Sequence, residues 1–285
     1  MLNKRKENYN NVIKIFDIHT HIFPDNVASG ALDYIHGLSG VTPSFDGTRN
    51  GLISSIDNAQ YTAVLNCPIA TTPSQVESIN KFALANNNDP IFSLGTIHPD
   101  SENKKEILLS LKSKKIKGIK LHPEYQHFTP EDKRMIPIWE FCNENNFIIL
   151  THSGKDAGID ENVKGTPEAF AKIAKKYPKL KLILAHFGGW NMWDDVEKYL
   201  IGTNVFLDTS FTLGLINDKQ FIRIIKNHGI DKILYGTDAP WQDQKQYLKH
   251  FLSLELTDQE KKQILWDNSS KLLSLNDEII SSKPV

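Results

Sequence analysis

Residues 13–24 read IKIFDIHTHIFP, an apolar run that passes directly into two histidines. The β-branched start is typical of a buried strand. Side chains alternate between the two faces of a strand, so His19 and His21 are predicted to project the same way, with Asp17 behind them. Two imidazoles at one strand end suit zinc or a neighbouring first-row metal. Because His-x-His also occurs by chance, the rest of the chain must supply the other ligands.

Short β-branched runs recur along the chain, each followed by a longer stretch of helical period. Eight are predicted as strands: Ile13–His19, Ala63–Cys67, Ile91–Ile97, Ile116–Leu121, Phe147–His152, Leu180–His186, Val205–Thr209 and Ile233–Asp238. Their spacing is close to the size of one βα unit. This pattern predicts an α/β fold, a (β/α)8 TIM barrel that takes up residues 1–285 as a single domain. An open doubly wound sheet is the alternative, but it requires a Gly-rich turn after the first strand, and the sequence has none there.

Two segments extend the predicted barrel. Asn26–Asn50 is too long for a plain connection, so we predict an inserted active-site loop after strand one, with one short helix at Ala31–Leu38. Thr257–Leu275 is predicted as a C-terminal helix on the outside of the barrel. Two other helices have clear start signals, at Thr166 and at Asn217.

The amino-acid composition and net charge exclude several classes of protein. Of the 285 residues 40% are hydrophobic, which is enough for a substantial core, and the net charge of −1 gives no field that favours nucleic acid or an anionic membrane. Two cysteines, Cys67 and Cys142, exclude a disulfide framework and are compatible with a reducing cytosol. The polar N-terminus and the lack of a long apolar run favour a soluble cytoplasmic protein. We expect a small-molecule substrate as its partner, with a homodimer left open.

The strand ends carry the chemistry, because the active site of a TIM barrel lies at the carboxyl ends of its strands. Strands five, six and eight deliver His152, His186 and Asp238 to the same rim as His19 and His21. The motifs are THSG at 151–154, AHFGG at 185–189 and YGTDAP at 235–240, and strand four adds GIKLHP at 118–123.

Taken together, these motifs resemble the amidohydrolase superfamily, and within it the amidohydrolase-related (amidohydrolase 2) group of metal-dependent hydrolases and nonoxidative decarboxylases. The resemblance covers nearly the whole chain and includes the closing segment ILWDNSSKLL at 264–273. It implies that His19, His21, His152 and Asp238 bind the metal that activates water. His186 is then either the ligand of a second metal or a polarising base beside the first. We expect one or two divalent ions, zinc in the first place and manganese as the alternative.

The resemblance also implies two catalytic residues, Asp238 and His186. Asp238 can contact both metal and water, so it is suited to accept the proton during attack. His186 is suited to stabilise a developing oxyanion or to protonate a leaving group.

Lys120 has two open roles. In binuclear members of the superfamily a lysine that ends strand four is carbamylated and bridges two metals. An unmodified ammonium has no lone pair to offer a metal, so it would instead be a clamp for a substrate carboxylate or a structural cation. His122 lies on the same strand face, where it either lines the pocket or is held in a turn by Pro123.

Aromatic residues after strands one, six, seven and eight predict an apolar pocket for a cyclic or aromatic substrate, with ordinary helix packing as the alternative. They are Phe23, Phe187, Trp190, Trp193, Phe211 and Trp241. Trp190 and Trp241 are predicted to bind substrate together with Lys120 and His122.

Three functions fit these features to different degrees. The first expectation is a metal-dependent hydrolase that cleaves a C–N, C–O or lactone bond of a small cyclic or aromatic substrate. The alternative is a metal-dependent nonoxidative decarboxylase of a small aromatic or unsaturated acid, which would use the same ligands. A catalytically idle barrel would be expected to have lost ligands, and this sequence retains all of them.

Overall fold

Parallel strands surrounded by helices form the structure, a computed structural model that describes residues 13–159 and 162–275. The strands are β1 (Phe16–Thr20), β2 (Ala63–Asn66), β3 (Ile91–Ser93), β4 (Gly95–Thr96), β5 (Gly118–Leu121), β6 (Ile148–Thr151), β7 (Leu182–Leu184), β8 (Phe206–Asp208) and β9 (Ile233–Leu234). All neighbours pair in parallel, in the orders β1-β2-β3 and β4-β5-β6-β7-β8-β9. β3 and β4 are two parts of one predicted strand, so the count agrees with an eight-stranded TIM barrel.

Backbone hydrogen bonds join the two sheets at both seams. The amide of Leu94, between β3 and β4, donates to the carbonyl of Asn66 at 3.0 Å. On the other side, Ile18 N donates to Tyr235 O at 2.9 Å, and Asp238 N donates to His19 O at 2.8 Å. The ring of strands therefore closes, which brings the end of β1 next to the segment that follows β9.

The helices surround this ring and follow the strands in turn. They are α1 (Asp25–Ser39), α2 (Arg49–Ala59), α3 (Val76–Ala85), α4 (Lys104–Ser113), α5 (Ile136–Asn145), α6 (Pro167–Lys176), α7 (Trp193–Tyr199), α8 (Asp218–His228), α9 (Gln244–Ser253), α10 (Asp258–Lys262) and α11 (Asn268–Leu273). Both predicted start signals are confirmed: Thr166 Oγ1 accepts from Ala169 N, and Asn217 Oδ1 accepts from Lys219 N. Within residues 13–159 and 162–275, no helix combines the length and apolar character that crossing a bilayer requires.

The core has two layers because the strands are covered on both faces. Ile148 and Leu150 of β6 pack with Phe16 and Leu234 in a cluster that the strands share among themselves, inside the barrel. Ile149, between them, belongs to the cluster formed with the surrounding helices. Consecutive apolar residues in the strands are explained by this double burial.

Two predicted segments differ from the structure. The segment predicted as an inserted loop with a short helix at Ala31–Leu38 contains a longer helix, α1, which runs from Asp25 to Ser39. The sequence did not predict the full length of α1 because the glycines inside it have low helix propensity. Pro24 before the helix and Gly40, in the left-handed conformation after it, set its ends. The C-terminal helix is interrupted between α10 and α11 by a π-helical turn at Gln263–Asp267.

A β-bulge interrupts the alternation predicted for β1. Asp17 pairs with Val64 and Thr20 pairs with Asn66, so three steps along β1 face two steps along β2. One residue is therefore extra, and bulges of this kind re-aim side chains next to active sites. Here the bulge includes His19.

Asp17 lies at the start of the bulge, where its carboxylate accepts hydrogen bonds and has a structural role. It is fully buried, and it accepts hydrogen bonds from Thr237 N at 2.9 Å and from Gln244 Nε2 at 2.8 Å. Burial raises the pKa of Asp17 to about 6, with these hydrogen bonds acting in the opposite direction. The side chain ties β1 to the segment after β9 and to the start of α9.

We expect Asp17→Ala to lower the free energy of unfolding by roughly 3 kcal/mol, because it leaves several buried donors without an acceptor. Denaturant unfolding followed by circular dichroism measures the change. Asp33→Ala is the matched control, since Asp33 is exposed on α1 and should change stability by less than about 0.5 kcal/mol. Equal stability of the two variants would contradict the structural role of Asp17.

Candidate active site and metal centre

A pocket opens at the carboxyl ends of the strands, and every residue that the sequence predicts as catalytic, metal-binding or substrate-binding lines it. These residues are His19, His21, Lys120, His122, His152, His186, Trp190, Asp238 and Trp241. His19 and Lys120 are the penultimate residues of β1 and β5, and the other residues lie in the segments that follow β1, β5, β6, β7 and β9. Their positions agree with the prediction, and the roles assigned to them stay predictions.

His19, His21 and Asp238 form the first group of metal-binding atoms. Each offers one donor atom, and the three atoms lie within 4.8 Å of one another. Asp238 Oδ1 lies 3.0 Å from His21 Nε2 and 3.3 Å from His19 Nε2. Two imidazole nitrogens and one carboxylate oxygen suit zinc or manganese and leave coordination positions open.

Asp208 and Ser210 set the orientation of the His19 ring. His19 Nδ1 donates to Asp208 Oδ2 at 2.9 Å, and Ser210 Oγ lies 2.9 Å from the same nitrogen. Burial acts to raise the pKa of Asp208, but the neighbouring His19 and His186 hold that pKa at about 2. A carboxylate on Nδ1 leaves the lone pair on Nε2, which is the tautomer that binds a metal. The donor set therefore fits a divalent ion.

Lys120 competes for that same lone pair. Its Nζ lies 2.6 Å from His19 Nε2 and is almost fully buried. Burial lowers the pKa of Lys120, an effect that Asp238 and Asp208 oppose. One lone pair on Nε2 cannot both accept a proton from the amine and bind a metal, so Lys120 must shift or change chemically when a metal binds. Carbamylation of Lys120 would meet this requirement, and so would a shift of the amine toward a substrate carboxylate.

His186 lies between the first group of ligands and His152. Its ring centroid is 5.4 Å from that of His19 and 4.7 Å from that of His152. His186 Nδ1 donates to the carbonyl of Ser210 at 3.1 Å, so Nε2 carries the lone pair. Burial lowers the pKa of His186 to about 3, so the ring is neutral at physiological pH. A neutral ring with a free lone pair can act as a ligand, a base or a hydrogen-bond acceptor.

His152 lies with His122 and Asp156 in a second group of donor atoms, again within 4.8 Å of one another. The rings of His122 and His152 stack with their centroids 4.2 Å apart, and His122 Nε2 lies 3.0 Å from Asp156 Oδ2. The structure thus groups His152 with these two residues, and its ring also lies 4.7 Å from that of His186. Among the described residues, sequence reasoning missed Asp156 in this group.

Aromatic side chains form the walls of the pocket. Four of the six predicted aromatic residues line it, together with Tyr125, which the sequence did not single out: Phe23, Trp190, Phe211 and Trp241. Phe187 instead stacks on Phe221 in the core at a centroid distance of 4.2 Å, and Trp193 packs against that core. For Phe187 and Trp193 the alternative of ordinary packing is therefore correct.

Asp208 and Ser210 also escaped the sequence analysis, although a signal for them existed. Both lie at the carboxyl end of β8, or just beyond it, where the barrel rule would have placed them. Tyr125 and Asp156 are loop residues away from any predicted strand end, and no pattern in the sequence marks them.

The removal of the Asp208 charge should weaken metal binding. We expect Asp208→Asn to lower the affinity for a divalent ion by about 10- to 100-fold, the cost typical of losing a residue that orients a ligand. Calorimetric titration of metal-free protein with Mn²⁺ measures this change. Asp194→Asn, an exposed substitution on α7, should leave the affinity unchanged. Unchanged affinity in Asp208→Asn would show that His19 does not depend on Asp208.

Comparisons with known proteins agree with this architecture. A gamma-resorcylate decarboxylase of Polaromonas sp. (strain JS666 / ATCC BAA-500) is 29% identical in an alignment of 121 residues, and the match covers 35% of this chain and 36% of that protein. An uncharacterised TIM-barrel protein from Bordetella bronchiseptica superposes with a TM-score of 0.72 at 18% identity, over 92% of this chain and 98% of that one.

A dihydroxybenzoic acid decarboxylase from Polaromonas sp. JS666, solved with manganese and the inhibitor 2-nitroresorcinol, has a TM-score of 0.68 at 15% identity, over 92% of this chain and 97% of that one. These structural likenesses support the barrel fold. The family model described as amidohydrolase matches residues 17–275, a range that contains all the motifs described above. The chain therefore belongs to the amidohydrolase family, in its amidohydrolase-related (amidohydrolase 2) group.

Proposed function

We propose that this protein is a metal-dependent nonoxidative decarboxylase of a small aromatic or unsaturated acid. The observation that carries the proposal is a buried amine, Lys120, which lines the same pocket as Trp190, Phe211 and Trp241. Aromatic walls can hold a ring, and the amine can hold its carboxylate. The decarboxylases among the related proteins support this choice over the hydrolase, which was the first expectation.

The metal centre proposed for this reaction consists of His19, His21 and Asp238. Manganese is favoured because a related decarboxylase contains it, with zinc as the alternative. A divalent ion there would supply a positive charge that orients the substrate and draws electron density from it. Three protein ligands leave positions for substrate and water.

Protein side chains would handle the proton. In decarboxylation the C–C bond to the carboxylate breaks, carbon dioxide leaves, and the electron pair forms a bond to a proton. Asp238, which lines the pocket beside His21, is proposed to take that proton from solvent and pass it to the carbon. His186, neutral and with its lone pair on Nε2, is proposed to accept a hydrogen bond from a hydroxyl group of the substrate.

The reaction class can be tested directly. Protein reconstituted with Mn²⁺ is incubated with hydroxybenzoic acids, unsaturated carboxylic acids, lactones and amides, while carbon dioxide release and ring absorbance are followed. We expect carbon dioxide in equal amounts with the decarboxylated product for at least one acid. Hydrolysis of a lactone or amide without any decarboxylation would instead establish the hydrolase.

A further inference from the structure

Asp156 brings a carboxylate to the active-site pocket that has no part in the proposed metal centre or in the proposed proton transfer. It lines the pocket together with Lys120, Tyr125 and Trp190. Its side chain is 10% exposed, so it is nearly buried and still reaches the pocket. In a pocket with largely apolar walls, a few polar groups of this kind fix the orientation of the bound molecule and determine specificity.

Backbone hydrogen bonds fix the position of Asp156. Ile159 N donates to Asp156 O at 3.2 Å, which closes a turn at the edge of the pocket. One residue before Asp156, Lys155 N donates to Trp190 O at 2.9 Å, and this bond ties the turn to the segment that follows β7. A side chain on a turn that is already ordered loses little conformational entropy when a ligand binds. The turn therefore presents Asp156 to the pocket in one fixed place.

His122 satisfies only part of the Asp156 carboxylate. His122 Nε2 donates to Asp156 Oδ2 at 3.0 Å, and the His122 ring is held by stacking on Tyr125 at a centroid distance of 4.0 Å. Burial acts to raise the pKa of Asp156, but the hydrogen bond from His122 and the nearby His152 lower it, so the side chain is an anion. Among the described residues, His122 is the one side chain that donates to this carboxylate. An ionised carboxylate has about four acceptor positions, so Asp156 keeps unused positions for a donor in the pocket.

We propose that Asp156 selects acids that carry a hydrogen-bond-donating substituent, a hydroxyl or an amino group, in addition to the carboxylate. This inference rests on the proposed function, because it concerns the acid whose carboxylate Lys120 is proposed to hold in the same pocket. A donor on the substrate completes the hydrogen bonds of Asp156. A methyl or methoxy group at the same position excludes water from a nearly buried carboxylate and gives it no donor in return, which is costly. Asp156 is therefore a specificity-determining residue.

Benzoic acids that differ in one substituent test this role. Calorimetry measures the affinity of full-length protein with Mn²⁺ for benzoates with a hydroxyl, amino, methyl or methoxy group at the ortho, meta or para position. At one ring position, we expect the hydroxyl and amino acids to bind the wild type about 10- to 100-fold more tightly than the methoxy acid. In Asp156→Asn the amide oxygen can keep the contact with His122 while its N–H groups face the pocket, so the preference should vanish or turn toward the methoxy acid. Asp258→Asn, an exposed substitution on α10, should keep the wild-type preference.

The ratio of affinities separates recognition from a merely structural role. If Asp156→Asn weakens the binding of all the acids by the same factor, Asp156 only supports the pocket and the proposal is wrong. It is equally wrong if the wild type shows no preference for a donor at any ring position. Because these affinities are measured without turnover, the two proposals fail separately. Selective binding without release of carbon dioxide from any acid would overturn the decarboxylase and retain the role of Asp156, whereas decarboxylation with equal KM values for hydroxy and methoxy acids would do the reverse.

Discussion

We expect Asp238→Asn to lower the rate of the proposed decarboxylation by about 10²- to 10⁴-fold while the barrel stays folded, because it removes a general acid–base group. The amide has the shape of the carboxylate, but it neither carries a negative charge nor transfers a proton. Asp238 is fixed by hydrogen bonds from its own backbone to His19 O and between its side chain and His21, so the amide can keep the position. Steady-state kinetics on the acid identified in the substrate screen measure the effect.

Two controls separate the proton-transfer role from the metal. Asp218→Asn, an exposed substitution on α8, should keep wild-type turnover. Excess Mn²⁺ should not restore Asp238→Asn if the missing function is proton transfer, whereas it should restore much of the rate if the variant merely binds the ion weakly. Near-normal turnover without added metal would exclude both roles for Asp238.

The direction in which the pKa of Asp238 is shifted supports its proposed roles in metal binding and proton transfer. Burial acts to raise the pKa, but the surrounding His19, His21 and His186 hold it well below its usual range. The resting side chain is therefore a carboxylate that can bind a cation, and it acquires a proton only transiently. A residue in this state suits both roles that the sequence assigned to Asp238.

The barrel and its rim could be predicted from the sequence because both follow from periodicity. Most of the buried strands carry a run of apolar residues, and the polar residue that follows such a run is expected at the rim, which is how His152 and Asp238 were found. The bulge at His19 could not be predicted, because an extra residue in one strand leaves no trace in the hydrophobic pattern.

Contacts made by loop residues could not be predicted from the sequence either. Asp156 and Glu124 approach His122 from loops, and nothing local in the sequence fixes where a loop side chain points. For the aromatic residues, too, the sequence could not predict which side chains line the pocket. Phe187 and Trp190 follow the same strand and are three residues apart, yet one is buried in the core and the other lines the pocket.

Lys120→Met should lower kcat/KM for the carboxylic acid by about 30- to 10³-fold, the cost of losing one partner of a buried charged hydrogen bond. The effect should fall mainly on KM, because the amine is proposed to hold the substrate carboxylate. Binding of the decarboxylated product, which has no carboxylate, should change little. Lys120→Arg keeps the charge and should retain more of the affinity for the acid than Lys120→Met.

The same variant decides between the two roles predicted for Lys120. If the amine is unmodified, its removal frees His19 Nε2 of a hydrogen bond at 2.6 Å, so Lys120→Met should bind Mn²⁺ at least as tightly as the wild type. If Lys120 is a carbamate that bridges two ions, the variant should lose metal, and native mass spectrometry of the wild type should show the added mass of one carbon dioxide. Unchanged KM for the acid together with unchanged metal affinity would contradict both roles. Lys120 is almost fully buried beside Asp208 and Asp238, so either outcome shows which charged group interacts with its side chain.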